Sequence, residues 1–543
     1  MRELLLDEVR RSVKTAFPDV GQDLLDRLSL DLPRDPSHGD FASNAAFLLK
    51  DVVKDNPRKI AEALVEKITG GISDAEVAGP GFINFRIRPE GIHDFLRKLA
   101  DPAARAEMMA DPDLAAAVGK FQIEFVSANP TGPMNVVSAR AAAFGDANVS
   151  LMRAVGCDVT AEFYSNDEGN QARLFGESLK ARFLQAAGRD VDFPEDGYQG
   201  DYVTEYGMQL FRACAAWVAA GKDLADLPGA GGTIAEVLAA AGVDETGPVP
   251  DRNDAAVIAA VDTAAAQLPF AELGLGSMIA GAKESLAGFG VEFDVWFRES
   301  ALHAPGPDGK SRVDEAEALL RERGHVREED GAVWFTSTEY GDDKDRVIRR
   351  SGGVPTYLLA DIAYHLDKAR RGFDHVVDVW GPDHHGYIKR LHSATVALGL
   401  AEDWLEVTLV QQVNLLRDGE PVKMSKRGGE FVTLDELVEE VGKDVSRFFF
   451  LMRRASTHLD FDLALAKQES MENPVYYVNY AHARSRSIFR QPMAAEVLGS
   501  GGSAAGTGSA AGTAVDMKAL GVAADLSRLT TDEEVTMMRT LLQ

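Results

Sequence analysis

A short segment late in the chain combines two lysines with glycines. Residues 423–429 read KMSKRGG and directly follow a turn at 417–420. Lys423 and Lys426 lie three positions apart among small residues, a composition that indicates a mobile cationic loop. Such a loop can close on a triphosphate and offset the negative charge that develops on departing pyrophosphate. A basic surface turn is the alternative interpretation of the same residues.

A second segment places prolines and a glycine between an expected strand and an expected helix. Residues 127–133 read SANPTGP. The start of a helix presents free backbone N–H groups and the positive end of the helix dipole, both of which suit phosphate or carboxylate. An ordinary proline-stiffened turn is the alternative. In combination with the lysine loop, the segment favours nucleotide chemistry.

The residues around this second segment predict the scaffold that must position it. Residues 121–126 have the pattern of a strand, and an alanine-rich helix follows over about 138–155 with Gly156 as its stop. The next strand is expected at 159–164. Strand, helix and strand in this order form a βαβ unit, which predicts a parallel sheet. Ligands of such sheets bind beyond the carboxyl ends of the strands, so the loops after these two strands are the expected binding region.

The rest of the chain predicts further domains. Residues 1–108 read as a separate α/β module, and residues from about 170 to 290 read as a helical insertion into the sheet domain. Residues 499–514 contain only Gly, Ser, Ala and Thr, which is typical of a flexible linker. Further strands are expected at 332–336, 375–380 and 407–416. The predicted domains are 1–108, 109–468 and a helical domain at 469–543 that reads as incomplete.

Composition limits the class of protein. The 543 residues are enough for three or four domains, and the net charge of −28 argues against nucleic-acid binding by the surface as a whole. Local basic clusters leave an RNA partner possible. No stretch is apolar enough for a membrane span, and the N-terminus lacks the features of a signal peptide. Cys157 and Cys214 are far apart, so we expect neither a disulfide framework nor bound zinc. These features predict a cytoplasmic protein with no membrane partner.

Several longer motifs resemble one family, the arginyl type of class I aminoacyl-tRNA synthetases. The resemblance implies an α/β fold with a Rossmann-like parallel-sheet catalytic domain carrying helical insertions. It also implies an N-terminal α/β tRNA-binding module and a C-terminal helical anticodon-binding domain. The motifs that carry it are HGDFASN at 38–44, YSND at 164–167, YGDDKDRVI at 340–348, PTYLLADIAYH at 355–365, GPDHHGY at 381–387 and NPVYYVNYAHAR at 473–484.

The same resemblance implies roles for individual residues. Tyr357 and Asp361 lie four apart on an expected helix, where they share a face, and Asp361 is the lone carboxylate expected to recognise the arginine side chain. Capping or a surface ion pair is the alternative role for Asp361. The other implied substrate-binding residues are Ser127, Asn129, Asn166 and His385. The implied ATP-binding residues are Gly132, Asn135, Ser138, Gly381, Asp383, His384, Met424 and Lys426.

One departure from the family pattern affects catalysis. The family usually has His-x-Gly-His at the start of the first helix, whereas this chain has Asn135-Val-Val-Ser138. Asn and Ser donate hydrogen bonds but cannot carry positive charge. We expect Asn135, Ser138, Lys423 and Lys426 to form the catalytic set, with Ser138 partly serving as a helix cap. A catalytically degenerate paralogue that binds tRNA or nucleotide is the alternative.

The expected activity is ATP-dependent formation of arginyl-adenylate and transfer of arginine to the 3′ end of tRNA(Arg). Mg²⁺ is expected to accompany ATP as a substrate complex. The expected partners are tRNA(Arg), arginine and ATP, and the protein is expected to be a monomer. In the family that this chain resembles, tRNA is usually needed before activation proceeds.

Overall fold

The fold was examined in a computed structural model. The structure describes residues 2–33, 35, 38–223, 226–227, 232–417, 419–422 and 432–488. Lys423, Met424 and Lys426, the predicted linker and most of the predicted C-terminal domain therefore lie outside the described residues. The described chain divides into two compact units, one ending at Ala110 and the other beginning at Asp111.

The first unit is an antiparallel sheet covered by helices, with the strands in the order β1-β2-β4-β3. Its core includes Leu5, Val9, Leu49, Leu64 and Phe85, all fully buried. Its strands are β1 (Leu30–Asp31), β2 (Phe41–Ser43), β3 (Ser73–Ala78) and β4 (Phe82–Ile87). Its helices are α1 (Arg2–Ala16), α2 (Gln22–Leu25), α3 (Ala45–Val53), α4 (Pro57–Lys67), α5 (Pro89–Ala100) and α6 (Pro102–Met109).

The second unit alternates strands and helices. Its strands are β5 (Lys120–Glu124), β6 (Asp158–Ser165), β7 (Val295–Arg298), β8 (Val326–Glu329), β9 (Ala332–Phe335), β10 (Arg346–Arg349), β11 (His375–Trp380), β12 (Leu405–Leu409), β13 (Val413–Arg417), β14 (Glu420–Pro421) and β15 (Leu459–Asp462). Its helices are α7 (Pro112–Val118), α8 (Val136–Ala154), α9 (Gly169–Ala186), α10 (Asp201–Ala219), α11 (Ile234–Ala241), α12 (Ala255–Gln267), α13 (Phe270–Gly288), α14 (Ser300–His303), α15 (Arg312–Glu322), α16 (Tyr357–Arg370), α17 (Ile388–Ala397), α18 (Leu434–Val441), α19 (Lys443–Leu451), α20 (Leu463–Lys467) and α21 (Pro474–Ile488).

A five-stranded, wholly parallel sheet organises this unit, as the sequence predicted. Its order is β12-β11-β5-β6-β7. The chain starts at the central strand β5, moves through β6 to β7, and then returns to the other side of β5 for β11 and β12. The order therefore reverses between β5 and β11. Ligands of open α/β sheets bind at such a switch point, beyond the carboxyl ends of the strands.

The five helices α9 to α13 lie between β6 and β7, in the part of the chain predicted to be helical. They enclose a separate core that includes Phe175, Leu210, Phe211 and Leu273. In the described part of the chain, no single helix is long and apolar enough to cross a membrane. The bent pair α12 and α13 reaches that length and apolar composition only when the two helices are taken together.

Two strand predictions are wrong in detail. Residues 407–416, predicted as one strand, belong to two strands in different sheets, because β12 joins the parallel sheet and β13 pairs with β14 and β15. The strand predicted to end at 126 ends at Glu124, because the backbone of Val126 turns to a φ of +74°.

Candidate active site at the carboxyl ends of the central strands

The backbone leaves β5 in a strained conformation. Val126 has a φ of +74° and Ser127 a φ of +25°, a region that L-residues other than Asn, Asp and His rarely adopt. Such residues cost about 1–3 kcal/mol each and persist only where their surroundings hold them. Here the Ser127 hydroxyl donates to Glu124 Oε1 at 2.6 Å and accepts from the Tyr164 amide at 3.3 Å. The predicted amino-acid-binding Ser127 is therefore fixed between β5 and β6.

The rest of the loop is held by the helical insertion. Asn129 Nδ2 donates to Gln171 Oε1 at 2.7 Å, and the Tyr202 hydroxyl donates to the Thr131 carbonyl at 2.7 Å. Helices α9 and α10 thus support the loop that carries the predicted substrate ligands.

Asn135 caps α8. Its side chain accepts from the Ser138 amide at 3.1 Å, and the Ser138 hydroxyl lies 3.4 Å from the same oxygen. The expectation that Ser138 acts as the cap is therefore wrong, because Asn135 has the extended backbone of a cap and Ser138 lies inside the helix. A small cavity brings together four of the predicted residues: Asn129, Gly132, Asn135 and Ser138.

The residues directly after the lysine segment pair with the start of α8. The Val136 amide donates to the Val432 carbonyl at 3.2 Å, and the Leu434 amide donates to the Met134 carbonyl at 2.8 Å. Lys423 and Lys426 lie outside the described residues. Val432, the first described residue after them, pairs with the helix start where phosphate binding is expected.

Asp361 lies half-buried on the second turn of α16 and accepts a hydrogen bond from the Tyr387 hydroxyl. Burial raises the pKa of Asp361 to about 7, and the negative charge of Glu299 acts in the same direction. Tyr357, on the first turn, is 63% exposed. Asp361 thus has a single side-chain hydroxyl partner in Tyr387, and the exposed Tyr357 lies one turn before it on the same helix.

Glu299 is a second buried carboxylate at this place, so Asp361 is not the lone carboxylate that the sequence suggested. It is 5% exposed and faces the hydroxyl of Tyr164. A hydrogen bond to Glu299, supported by the carboxylate charge, raises the pKa of His303. Glu299, His303 and Tyr357 line one groove together with Arg350 and Asn170. The groove thus offers acidic and aromatic groups to a cationic side chain.

Three carboxylates form a row across the centre of the parallel sheet. In register, Asp378 of β11 lies beside Glu124 of β5, which lies beside Glu162 of β6. All three are buried. We call these three residues the acid row. Parallel-sheet strands are normally apolar at such positions, and like charges side by side destabilise a sheet, so compensating groups are required.

Helix α16 supplies those groups from one face. Lys368 Nζ donates to Glu124 at 2.6 Å and to Asp378 at 2.8 Å. Arg371, at the end of the helix, donates to Glu162 at 2.9 Å. Burial opposes the ionisation of Asp378, but Lys368 and His365 outweigh it and hold its pKa below the usual range. Burial raises the pKa of Glu124 despite the contact with Lys368.

The segment GPDHHGY follows β11 and forms a 3₁₀ helix, Pro382–Tyr387. Asp383, His384 and His385 are exposed there, next to the switch point, and His384 Nδ1 lies 3.4 Å from Asp383 Oδ1. Gly381 begins the turn beside Asp383. The predicted nucleotide residues therefore lie at the carboxyl end of β11 and remain accessible to a ligand.

The motif YSND ends β6, and its two polar residues differ in role. Asp167 is buried and accepts from Arg298 Nε at 2.6 Å and from the Ser300 hydroxyl at 2.8 Å, so it fixes the turn after β7. Asn166, the predicted substrate residue, is half-buried at the carboxyl end of β6. Within the described residues, no group of three or more His, Cys, Asp or Glu side chains could hold a metal ion.

Comparison with known proteins agrees with this arrangement. The family described as the arginyl tRNA synthetase N terminal domain matches residues 4–87, and the catalytic domain of class I (R) tRNA synthetases matches residues 308–452. A curated arginine–tRNA ligase from Geobacillus thermodenitrificans is 44% identical over 90% of this chain and 80% of its own length. The relative from Desulforudis audaxviator is 43% identical over 89% of this chain and 78% of its own length. The chain belongs to the arginyl-tRNA synthetase family.

A solved arginyl-tRNA synthetase from Thermus thermophilus has the same fold. It aligns with 100% of this chain and 86% of its own, at a TM-score of 0.61 and 19% identity. Glu299 and Glu124 were not identified from the sequence as candidate functional residues. The available signal was an acidic residue within each of three apolar strands, at Glu124, Glu162 and Asp378.

Proposed function

We propose that this chain is an ATP-dependent arginine–tRNA ligase, which joins arginine to the 3′ end of tRNA(Arg). The observation that carries the proposal is the pair of neighbouring carboxylates, the half-buried Asp361 and the buried Glu299, with the exposed Tyr357 one turn before Asp361 on the same helix. A guanidinium group carries one charge and a planar set of N–H donors, which carboxylates accept in a fixed geometry. Curated relatives named arginine–tRNA ligase support the same assignment.

The backbone end of arginine would bind at the strained loop after β5. Glu124 is the carboxylate there, and it contacts Ser127, one of the predicted substrate-binding residues. An ammonium group is best matched by a buried carboxylate with a free acceptor position. We therefore assign the α-ammonium group to Glu124, with Ser127 and Asn129 beside it and Asn166 and His385 completing the substrate site.

ATP would bind at the switch point as its Mg²⁺ complex, so that Mg²⁺ enters with the substrate. Gly132, Asn135 and Ser138 would meet its phosphates at the start of α8. The remaining proposed contacts come from two segments, one after β11 and one before α18. They are Gly381, Asp383 and His384 in the first and Lys423, Met424 and Lys426 in the second.

Two steps follow from this arrangement. A carboxylate oxygen of arginine attacks the α-phosphorus of ATP, and the bond from that phosphorus to the bridging oxygen breaks, releasing pyrophosphate. A ribose hydroxyl at the tRNA 3′ end then attacks the arginyl carbonyl carbon and displaces AMP, while the hydroxyl proton is lost. Neither step requires a protein nucleophile, so alignment and charge stabilisation carry the rate.

One observation favours a second candidate, a degenerate paralogue that binds tRNA or nucleotide without aminoacylating. Asn135 and Ser138 replace the two signature histidines, and the Asn135 oxygen already accepts from the Ser138 amide. The phosphate site therefore has no imidazole at these positions. We favour the active enzyme, because Asp361, Glu299 and the lysine segment are all present in this chain. We also propose a cytoplasmic monomer whose first unit and C-terminal domain contact tRNA.

The test is arginylation of total tRNA by the purified chain with Mg²⁺-ATP and labelled arginine. The expected result is tRNA-dependent incorporation, unaffected by excess citrulline, which has the shape of arginine without its charge. Glu299→Gln and Asp361→Asn should each raise the KM for arginine at least about tenfold, because each leaves the guanidinium with one carboxylate. Asp403→Asn, an exposed acid elsewhere, is the matched control. Binding of tRNA without any incorporation would instead support the degenerate paralogue.

A further inference from the structure

The acid row contains more charge than the proposed reaction uses. Only Glu124 contacts the proposed substrate site, yet Asp378 and Glu162 lie beside it in the centre of the sheet. Buried ion pairs usually contribute little net stability, because removing the charges from water costs several kcal/mol per ion. The position of this network next to the proposed substrate site therefore points to a role beyond stabilising the fold.

Lys368 is placed between two of these acids. Its side chain is 0% exposed, and its ammonium donates to Glu124 Oε2 at 2.6 Å and to Asp378 Oδ1 at 2.8 Å. The ammonium also lies 4.4 Å from the centre of the Tyr364 ring. These three contacts restrain the position of the ammonium group. It therefore fixes one oxygen of Glu124 and leaves the other, Oε1, toward Ser127.

We propose that Lys368 is a positioning residue, which holds Glu124 in the orientation that receives the α-ammonium group of the amino acid. The proposal rests on the proposed function only for the contact between Glu124 and that ammonium. Lys368 itself is fully buried, so it would act on the substrate only through Glu124. Its effect is to favour the ionised form of the Glu124 carboxylate against burial and to prevent its rotation away from the site.

Asp378 has a different part in the same network. Its Oδ1 accepts a second hydrogen bond from Lys368, and its Oδ2 lies 3.0 Å from His365 Nε2. An asparagine at 378 keeps an oxygen acceptor of the same shape while removing the charge. Lys368 would then retain its contact with Glu124. Asp378→Asn is therefore the matched control, since it alters the network without releasing Glu124.

The experiment measures the binding of two ligands by calorimetry at pH 8. One is L-arginine, and the other is 5-guanidinopentanoate, which is arginine without its α-ammonium group. Wild type should prefer arginine. Lys368→Met should weaken arginine binding by about tenfold or more and the analogue by less than about twofold, because only arginine uses Glu124. Asp378→Asn should change both affinities by less than about threefold.

Equal losses for both ligands in Lys368→Met would overturn the proposal, since they would mean that Lys368 acts on the fold of the whole site. An undiminished preference for arginine would also overturn it. If Lys368→Met fails to fold, the double variant Lys368→Met/Glu124→Gln removes both charges of this buried ion pair. It should bind the two ligands with the same affinity. If the wild-type protein binds no arginine, the proposed function is contradicted. If Lys368→Met prefers arginine over the analogue as strongly as wild type does, only this inference is contradicted.

Discussion

At the scale of single residues, the charge on Asp361 links ligand binding to stability. Burial raises its pKa to about 7 from an ordinary value near 3.8. When folding raises the pKa of a carboxyl group, that group stabilises the folded state at pH values below its pKa in the unfolded chain. This contribution is lost as the pH rises through 7. Asp361→Asn cannot ionise. We therefore expect its melting temperature to exceed that of wild type at pH 8, with a smaller difference at pH 5.

Thermal melting of both proteins at the two pH values provides the measurement. Saturating arginine should reduce the difference in melting temperature between the variant and wild type at pH 8. The reason is that the bound guanidinium neutralises the ionised Asp361 carboxylate, which only wild type has. The exposed Asp403→Asn serves as control and should melt like wild type at both pH values. A difference that does not depend on pH would contradict the assignment of this titration to Asp361.

Lys426 allows a second prediction at this scale. If its charge acts mainly on departing pyrophosphate, Lys426→Ala should lower kcat of arginylation while leaving the KM values for arginine and ATP within about twofold. Steady-state kinetics with tRNA present measures all three constants. Raised KM values with an intact kcat would instead assign Lys426 to ground-state binding of ATP.

At the scale of secondary structure elements, the start of α8 determines how the phosphate site is built. Asn135→Ala removes the cap and should cost about 1 kcal/mol of stability. Asn135→Asp keeps a capping oxygen, yet its charge opposes the phosphates. We therefore expect the alanine variant to melt lower, and the aspartate variant to melt near wild type but form adenylate more slowly. Melting curves and single-turnover kinetics separate the two effects. Equal adenylate rates in Asn135→Asp and wild type would place the phosphates elsewhere.

The same elements show how much of the structure could be predicted from the sequence. Periodicity and turn residues predicted α8, α16 and the parallel strands β5, β6 and β11, because these depend on neighbouring residues, whereas β7 was not predicted. The shared face of Tyr357 and Asp361 followed from helical spacing. The acid row did not, because it depends on the strand order that brings Asp378 beside Glu124. Glu299 was missed for a similar reason, since only the packing of distant segments brings it near Asp361.

At the scale of the whole molecule, the first unit has a core made of its own residues, with buried positions from Leu5 to Ile92. We propose that it binds tRNA and takes no part in amino-acid recognition. Deletion of residues 1–110 should therefore raise the KM for tRNA about tenfold or more, while arginine affinity stays within about twofold. Loss of phosphate contacts should also weaken the salt dependence of tRNA binding. Kinetics at two salt concentrations provides the measurement.

A milder variant tests the same unit without removing it. Gly39 has a φ of +109°, and an added Cβ would lie 2.5 Å from the Phe85 carbonyl oxygen. Gly39→Ala should therefore distort this turn and raise the tRNA KM while leaving arginine binding unchanged. A deletion variant that arginylates tRNA with the wild-type KM would contradict the role of the unit.

The acid row has a consequence for how the protein is made. Glu124 leaves the ribosome 244 residues before Lys368, and Glu162 leaves 209 residues before Arg371. At a rate of protein synthesis of about 5–20 residues per second, roughly 10–50 s pass between the synthesis of each acidic residue and that of its cationic partner. During that time β5 and β6 can pair, but burying their carboxylates beneath a helix is unfavourable. We therefore expect the central sheet to stay incompletely packed on the ribosome until α16 has been made. Nascent chains stalled before residue 368 should then be the ones that chaperones bind and proteases cleave.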